Sequence, residues 1–361
     1  MREGWEYICF ESCLNKIPKA KQVKTKEYNS GTKYPIISQE DKLISGYCDD
    51  ESMLFHIDKP VIIFGDHTRV LKYIDFDFVV GADGVKIISP KENLNAKFLL
   101  YFLTWYNIPN LGYSRHYKLL KELDIPVPPL STQLSIVSEL DKINELIRLK
   151  REQLKDYDNL AQSIFYEMFG DPVVNEKGWI VKTIGDVCSL KSGDSKANKS
   201  PKGTLPYVKV GDMNLPGNEN YITCSSTYVD RDYNKRGIFP IGSILFPKRG
   251  GAILTNKKRM AAVEICCDLN TMGVIPSEVL NKHYLFQWFK ILDLGTICSG
   301  STILQLNNCD IAPLLIQIPP LTLQQTFAKR IELIEQQKAE IQSTIADLET
   351  LLASRMQYWF D

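Results

Sequence analysis

The sequence predicts an α+β fold: two globular α+β domains separated by a pair of long antiparallel coiled-coil helices, with an internal pseudo-twofold repeat. Three observations carry it. A segment that enters one helix, Ile125-Pro126-Val127-Pro128-Pro129-Leu130, returns 191 residues later as Ile316-Gln317-Ile318-Pro319-Pro320-Leu321. Behind each copy runs a narrow apolar seam with steps of alternately four and three residues, the spacing at which helices pack side by side. Ahead of each copy lie short β-branched runs bounded by turn residues. The boundaries follow: domain 1 over residues 1–125, a central helix over 126–171, domain 2 over 172–315 and a second helix over 316–361.

In domain 1 the strand signals are Pro60 to Phe64, Phe78 to Val80 and Val85 to Ile88, with turns at Gly65-Asp66 and Ala82-Asp83-Gly84. A helix is expected from Leu94 to Trp105. Domain 2 repeats the plan with strands at Leu205 to Val210 and Gly242 to Phe246, and a helix from Asn281 to Leu292. Each long helix, about 33 residues, should run roughly 50 Å. Pro128-Pro129 and Pro319-Pro320 keep the helices from starting earlier. Ser131 or Thr132 can cap the first, Thr322 with Gln325 can form a capping box on the second, and Gly170 ends the first. The seam includes Leu140, Ile143, Ile147 and Leu154 in one helix, and Ile331, Ile334, Ile341 and Ile345 in the other. We expect the helices to pair with each other; packing of each on its own domain is the alternative. Lys150 and Lys338 interrupt the seams, either fixing register or carrying their charge out to water.

Composition excludes several classes. No window holds the roughly 20 apolar residues that cross a bilayer, and the first residues lack a signal-peptide core, so no membrane partner and a cytoplasmic location are expected. Nine cysteines show no zinc-site spacing and read as reduced packing residues. Net charge is zero overall, yet residues 172–315 carry 17 basic against 12 acidic groups. A neutral total therefore conceals a basic domain, and a phosphate responds to the local potential.

The duplicated plan resembles the specificity subunit of Type I restriction-modification systems. The markers are the two helix entries with Gln133 and Gln324 just inside them, the run from Gly112 to Lys121, and Ser299-Gly300-Ser301-Thr302 followed by Gln305-Leu306. The resemblance covers essentially the whole chain. It implies that each domain recognises one half of a bipartite site in double-stranded DNA. It also implies that the helices space the halves and bind two modification (methyltransferase) subunits, with restriction/translocase subunits joining them. S-adenosylmethionine, ATP and Mg²⁺ are then expected on those partners, with no cofactor and no metal in this chain.

DNA reading needs cations for phosphates and rigid polar groups for base edges. In domain 1 the candidates are His67, Thr68 and Arg69 after Gly65-Asp66, where Arg69 can reach guanine with two donors. A second group is Tyr113, Ser114, Arg115, His116 and Lys118, with the resemblance favouring Arg115 and His116. In domain 2, Lys248 and Arg249 occupy the matching place after a strand. Lys257, Lys258 and Arg259 follow, and Ser301 lies in a polar turn. Lys16, Lys19, Lys21, Lys24 and Lys26 suit a phosphate-facing strip or plain solubilising surface. The bland reading of every such loop is solvated charge. Catalytic signals are missing: no (Asn/Asp)-Pro-Pro-(Tyr/Phe) loop, no Walker lysine loop, and four scattered histidines. We therefore expect no catalytic residue. The rival classes are a coiled-coil scaffold that does not bind DNA, and an unrecognised nuclease or methyltransferase.

Overall fold

A computed structural model of the chain describes residues 4–28, 31–82, 84–112, 114–194, 203–231, 237–300 and 303–361. The chain divides into two compact units: Met1–Glu152 with Gln342–Asp361, and Gln153–Ile341. Each unit thus holds α+β structure together with a stretch of both long helices.

In the first unit the Val61–Gly65 strand pairs antiparallel with Leu71–Ile74 on one side and Val85–Ile88 on the other. A second sheet has the order Gly46–Cys48, Tyr34–Ile37, Phe78–Val80, Leu54–Phe55. The Ala96–Tyr106 helix is capped by the Asn95 side chain, which accepts from Phe98 N. It buries Phe98, Leu99, Phe102 and Leu103 in a core that includes Ile62, Phe64, Ile136, Leu140, Met356 and Phe360. The second unit follows the same logic. Its Ile244–Pro247 strand is central, paired antiparallel with Arg259–Ala261 and Thr271–Pro276. Its Lys282–Ile291 helix, capped by Asn281, packs Tyr284, Leu285 and Phe289 against Phe165, Phe169, Phe327 and Ile331.

The long helices run Leu130–Phe169 and Leu321–Phe360, 40 residues each. They are longer than expected because they start directly after the prolines. Pro129 O accepts from Thr132 N and Gln133 N, and Pro320 O accepts from Leu323 N and Gln324 N. Ser131, Thr132 and Thr322 therefore lie inside the first turn, which corrects the capping expected of them. The fixed φ of proline suits a helix start as well as it forbids a helix interior. Gly170 closes the first helix with φ +78°.

Pairing is antiparallel within each unit. In the first, Glu139 accepts from Arg355 and from Trp359 Nε1 (3.0 Å), and Arg151 meets Glu349 at 2.6 Å. In the second, Phe327 packs against Phe165 and Phe169 at 5.8 and 5.3 Å between ring centroids, and Lys338 Nζ reaches Asp158 Oδ1 at 2.8 Å. Lys338 is thus a buried cation with a cross-helix partner. Leu140, Ile143, Ile147, Ile331, Ile334 and Ile341 are buried, while Leu154 and Ile345 are half-buried. The helices also pack on the α+β cores, so both arrangements weighed in the sequence are present together.

One feature repeats atom for atom. Gln133 is wholly buried; its Oε1 accepts from Asn95 N (2.7 Å) and its Nε2 donates to Asn93 O and Pro128 O (2.8 Å each). Gln324, equally buried, accepts from Asn281 N (2.7 Å) and donates to Val279 O (3.1 Å) and Pro319 O (2.8 Å). Each glutamine ties the start of a long helix to the cap of the domain helix.

Strand pairing adds a second repeat. Glu6–Cys9 pairs with Asp124–Val127, and Ile180–Thr183 with Leu315–Ile318, both antiparallel. All nine cysteines are free thiols.

Candidate nucleic-acid interface

The first unit brings together two candidate groups that lie nearly fifty residues apart. The turn after the Val61–Gly65 strand closes on itself, with Arg69 N donating to Gly65 O (2.7 Å) and Gly65 N to Val70 O (2.9 Å). Asp66, 2% exposed, then receives the other segment: His116 N and Nδ1 both donate to Asp66 O at 2.9 Å, and Tyr117 N donates to Asp66 Oδ1 at 2.8 Å. His67 Nδ1 donates to Ser114 O at 3.2 Å. A third strand end joins them through Gln39, whose carbonyl accepts from Thr68 Oγ1 (2.6 Å) and whose Oε1 accepts from His67 N (3.3 Å). Asp66 N reaches Gly84 O at 2.7 Å. Gly84 sits at φ +94°, and a Cβ there would meet Gln39 Oε1 at 2.8 Å and His67 Cδ2 at 3.0 Å.

On this frame Thr68, Arg115 and Lys118 are exposed, while His67, Arg69 and Ser114 are half-buried. Arg69 stands at φ +65° and one guanidinium nitrogen donates to Ile108 O at 2.9 Å, so part of its fork is already engaged. His116 corrects an expectation: it is 0% exposed, and its Nε2 accepts from Leu111 N at 3.0 Å. That bond places the ring proton on Nδ1, toward Asp66 O. The ring is a neutral internal brace, with no face left for DNA. Tyr113 lies outside the described residues.

The second unit assembles its counterpart chiefly through backbone pairing. Arg249 bridges Gln305, Gly250 N donates to Leu304 O (2.8 Å) and Leu306 N to Lys248 O (2.9 Å). Ser299 and Gln305 exchange both backbone bonds at 2.9 and 2.8 Å. The loop of Lys248 and Arg249 therefore adjoins the polar turn, with Arg249 and Ser299 exposed. Lys248 Nζ donates to Ser192 Oγ (2.9 Å), and burial with Arg249 nearby lowers its pKa.

The basic run 257–259 is mostly turned inward. Lys258 is 4% exposed and donates to Asn256 Oδ1 (2.6 Å) and to Leu292 O; burial pushes its pKa down to about 8, with Asp293 acting the other way. It holds two chain segments together and is withdrawn as a DNA contact. Half-buried Arg259 donates to Met213 O (3.2 Å) and Lys258 O (2.9 Å), and Lys257 donates to Asn214 Oδ1. Ser301 lies outside the described residues. Lys16, Lys19, Lys21, Lys24 and Lys26 are all exposed.

Sequence reading passed over Gln39 and took Asp66 only as part of the turn that carries His67, Thr68 and Arg69. The buried Asp66 carboxylate lies 3.9 Å from Lys86 Nζ, a pairing made by the fold across twenty residues. Among the described residues, no group of three or more His, Cys, Asp and Glu is arranged to hold a metal ion.

A duplicated α+β protein with one composite polar loop surface per unit is the class these features define. The model of the Type I restriction modification DNA specificity domain matches residues 2–156 and 176–350. The chain belongs to that family. Relatives include the MjaIX specificity subunit of Methanocaldococcus jannaschii, 26% identical over 69% of this chain and 64% of that protein. The EcoR124I/EcoR124II specificity subunit of Escherichia coli is 25% identical over 73% of this chain and 69% of its own length. A putative specificity subunit of Haemophilus influenzae is 27% identical over 76% and 74%. The alignment with the first of these spans less than two thirds of that relative. The fold is shared with the S subunit from M. genitalium (TM-score 0.57, 14% identity, 99% of this chain and 96% of that one). It is shared as well with a chain solved in a study of complex assembly and conformational transition in the type I R-M system (TM-score 0.57, 18% identity, 99% and 98%).

Proposed function

We propose that this subunit reads a bipartite site in double-stranded DNA, one half per unit, and delivers two modification subunits and the restriction/translocase subunits to it. The observation that carries the reading is the convergence in each unit of two sequence-distant polar loops on one surface, next to a central strand. Exposed Arg115 and Lys118 in one unit, and Arg249 in the other, are the kinds of group that meet phosphates and guanine edges. Methyl transfer and cleavage, with S-adenosylmethionine, ATP and Mg²⁺, then belong to the partners, and this chain supplies selection only. No helix among the described residues is long and apolar enough to cross a membrane, and we place the assembly in the cytoplasm.

The test exchanges residues 1–125 for the matching block of another specificity subunit and maps the methylated sites of a host genome. One half of the recognised sequence should change and the other persist. A change in both halves, or in neither, refutes independent reading. Arg115→Ala and Arg249→Ala should each weaken one half-site, by about 1–3 kcal/mol with relaxed preference at one position where the arginine touches a base. A phosphate contact would instead weaken all sequences alike.

A further inference from the structure

We propose that Asp66 and His116 are the positioning residues of the first unit's reading surface, a buried strut that fixes where Arg115 and His67 are presented and hence which bases the first half-site accepts. The proposal rests on the DNA-reading assignment above. Neither residue can touch DNA, at 2% and 0% exposure. Both face inward from loops that also carry exposed side chains: Thr68 lies two residues after Asp66, and Arg115 precedes His116.

Four hydrogen bonds tie the two loops together, and three end on Asp66. The His116 ring does two jobs at once. Its Nδ1–H holds Asp66 O, and its Nε2 receives the amide of Leu111, which reels in the loop leading to Arg115. Only an Nδ1-protonated, neutral imidazole can donate on one side and accept on the other. A reading arginine must be held within about half an ångström of its productive pose. Removing the ring leaves the Leu111 amide without its acceptor and Asp66 O short of a donor, so the loop around Arg115 can move. The second unit joins its loops by backbone pairing of Arg249 and Ser299 with Gln305, to which Ser299 Oγ adds a bond of 3.4 Å to Gln305 O.

The experiment uses the full chain assembled with its modification subunits. Binding is measured to the mapped target duplex and to duplexes with one base pair changed in either half. His116→Ala should lower discrimination within the first half-site about tenfold or more, the scale of one base contact, and leave the second half-site unchanged. His116→Gln, whose amide oxygen can still accept from Leu111 N, should recover part of it. Thermal melting of each variant separates misplacement from unfolding. Should the alanine variant fail to fold, His116→Gln and His116→Asn decide the matter: each keeps one of the two bonds and should show partial loss confined to the first half-site. Unchanged discrimination in a folded variant, or equal loss in both halves, overturns the strut. A wild-type assembly without any two-part preference would instead overturn the reading itself, and this proposal with it.

Discussion

Replacing Gln133 by alanine should be among the most damaging single changes in the first unit, and the structure sets the size of the effect. The side chain is wholly buried and makes three hydrogen bonds of 2.7–2.8 Å. Alanine would leave the Asn95 amide, at the cap of the domain helix, without its acceptor. A buried unsatisfied donor costs about 1–3 kcal/mol, and each of the two donated bonds contributes about 0.5–1.5 kcal/mol net. The total is about 2–6 kcal/mol. Gln324 makes the same three contacts in the second unit, so Gln324→Ala should lose a similar amount. The assay is denaturant unfolding of the full chain, with amide hydrogen exchange to assign the loss to a unit. The Asn95 amide should exchange faster in the first variant, and the Asn281 amide in the second. A loss below about 0.5 kcal/mol, the level of an ordinary surface substitution, would refute the clamp. So would a first-unit variant whose protection falls chiefly in the second unit.

Three further outcomes are expected. His283 is buried against Glu332, 3.6 Å away, and burial, then Lys282, hold its pKa below the usual 6.5 while Glu332 opposes them. Its stabilising contribution is complete above the unfolded-state value and is lost as pH falls through the lower folded-state value. The second unit should therefore melt earlier at pH 5 than at pH 8, and His283→Asn should flatten that slope; a higher melting temperature at pH 5 contradicts the assignment. Lys338 is buried but its partner Asp158 is half-exposed, so Lys338→Met should change stability by only about 1 kcal/mol, whereas Lys338→Glu, facing Asp158 and Glu335, should lose on the order of 3–5 kcal/mol in denaturant unfolding. Gly84→Ala adds a Cβ at positive φ against Gln39 and His67 and should cost about 1–3 kcal/mol with weakened first-half-site binding, checked by melting and DNA titration.

The long helices were legible in the sequence because their signal is local and recurs many times. A seam repeated every 3.5 residues over nine steps leaves little choice of structure. Strands such as Phe78–Val80 and Val85–Ile88 were legible too, since β-branched runs between turns depend on few neighbours. The pairing of Glu6–Cys9 with Asp124–Val127 was not, because register across more than a hundred residues is set by packing. The helix starts were misplaced because proline both blocks a helix interior and opens a first turn, and only its neighbours distinguish the two. In the candidate interface the sequence located the loops and mistook some of their occupants. His116 and Lys258 look like surface cations in a basic run, yet each is consumed by carbonyl groups from distant segments. Composition cannot show which member of such a run turns inward.

The division of the chain into units has a consequence for its folding. The second unit is one uninterrupted stretch, residues 153–341, and its internal contacts all fall within that stretch. The first unit begins earlier but waits for residues 342–361. Until Phe360 arrives, 5.5 Å from Phe98, 5.7 Å from Phe102 and 5.9 Å from Trp105, these rings lack a neighbour in their core. The first unit therefore closes only when two segments far apart in the sequence have met, while the second closes within itself. Until they meet, the rings around Phe98 stay open to chaperones, proteases and stray apolar surfaces.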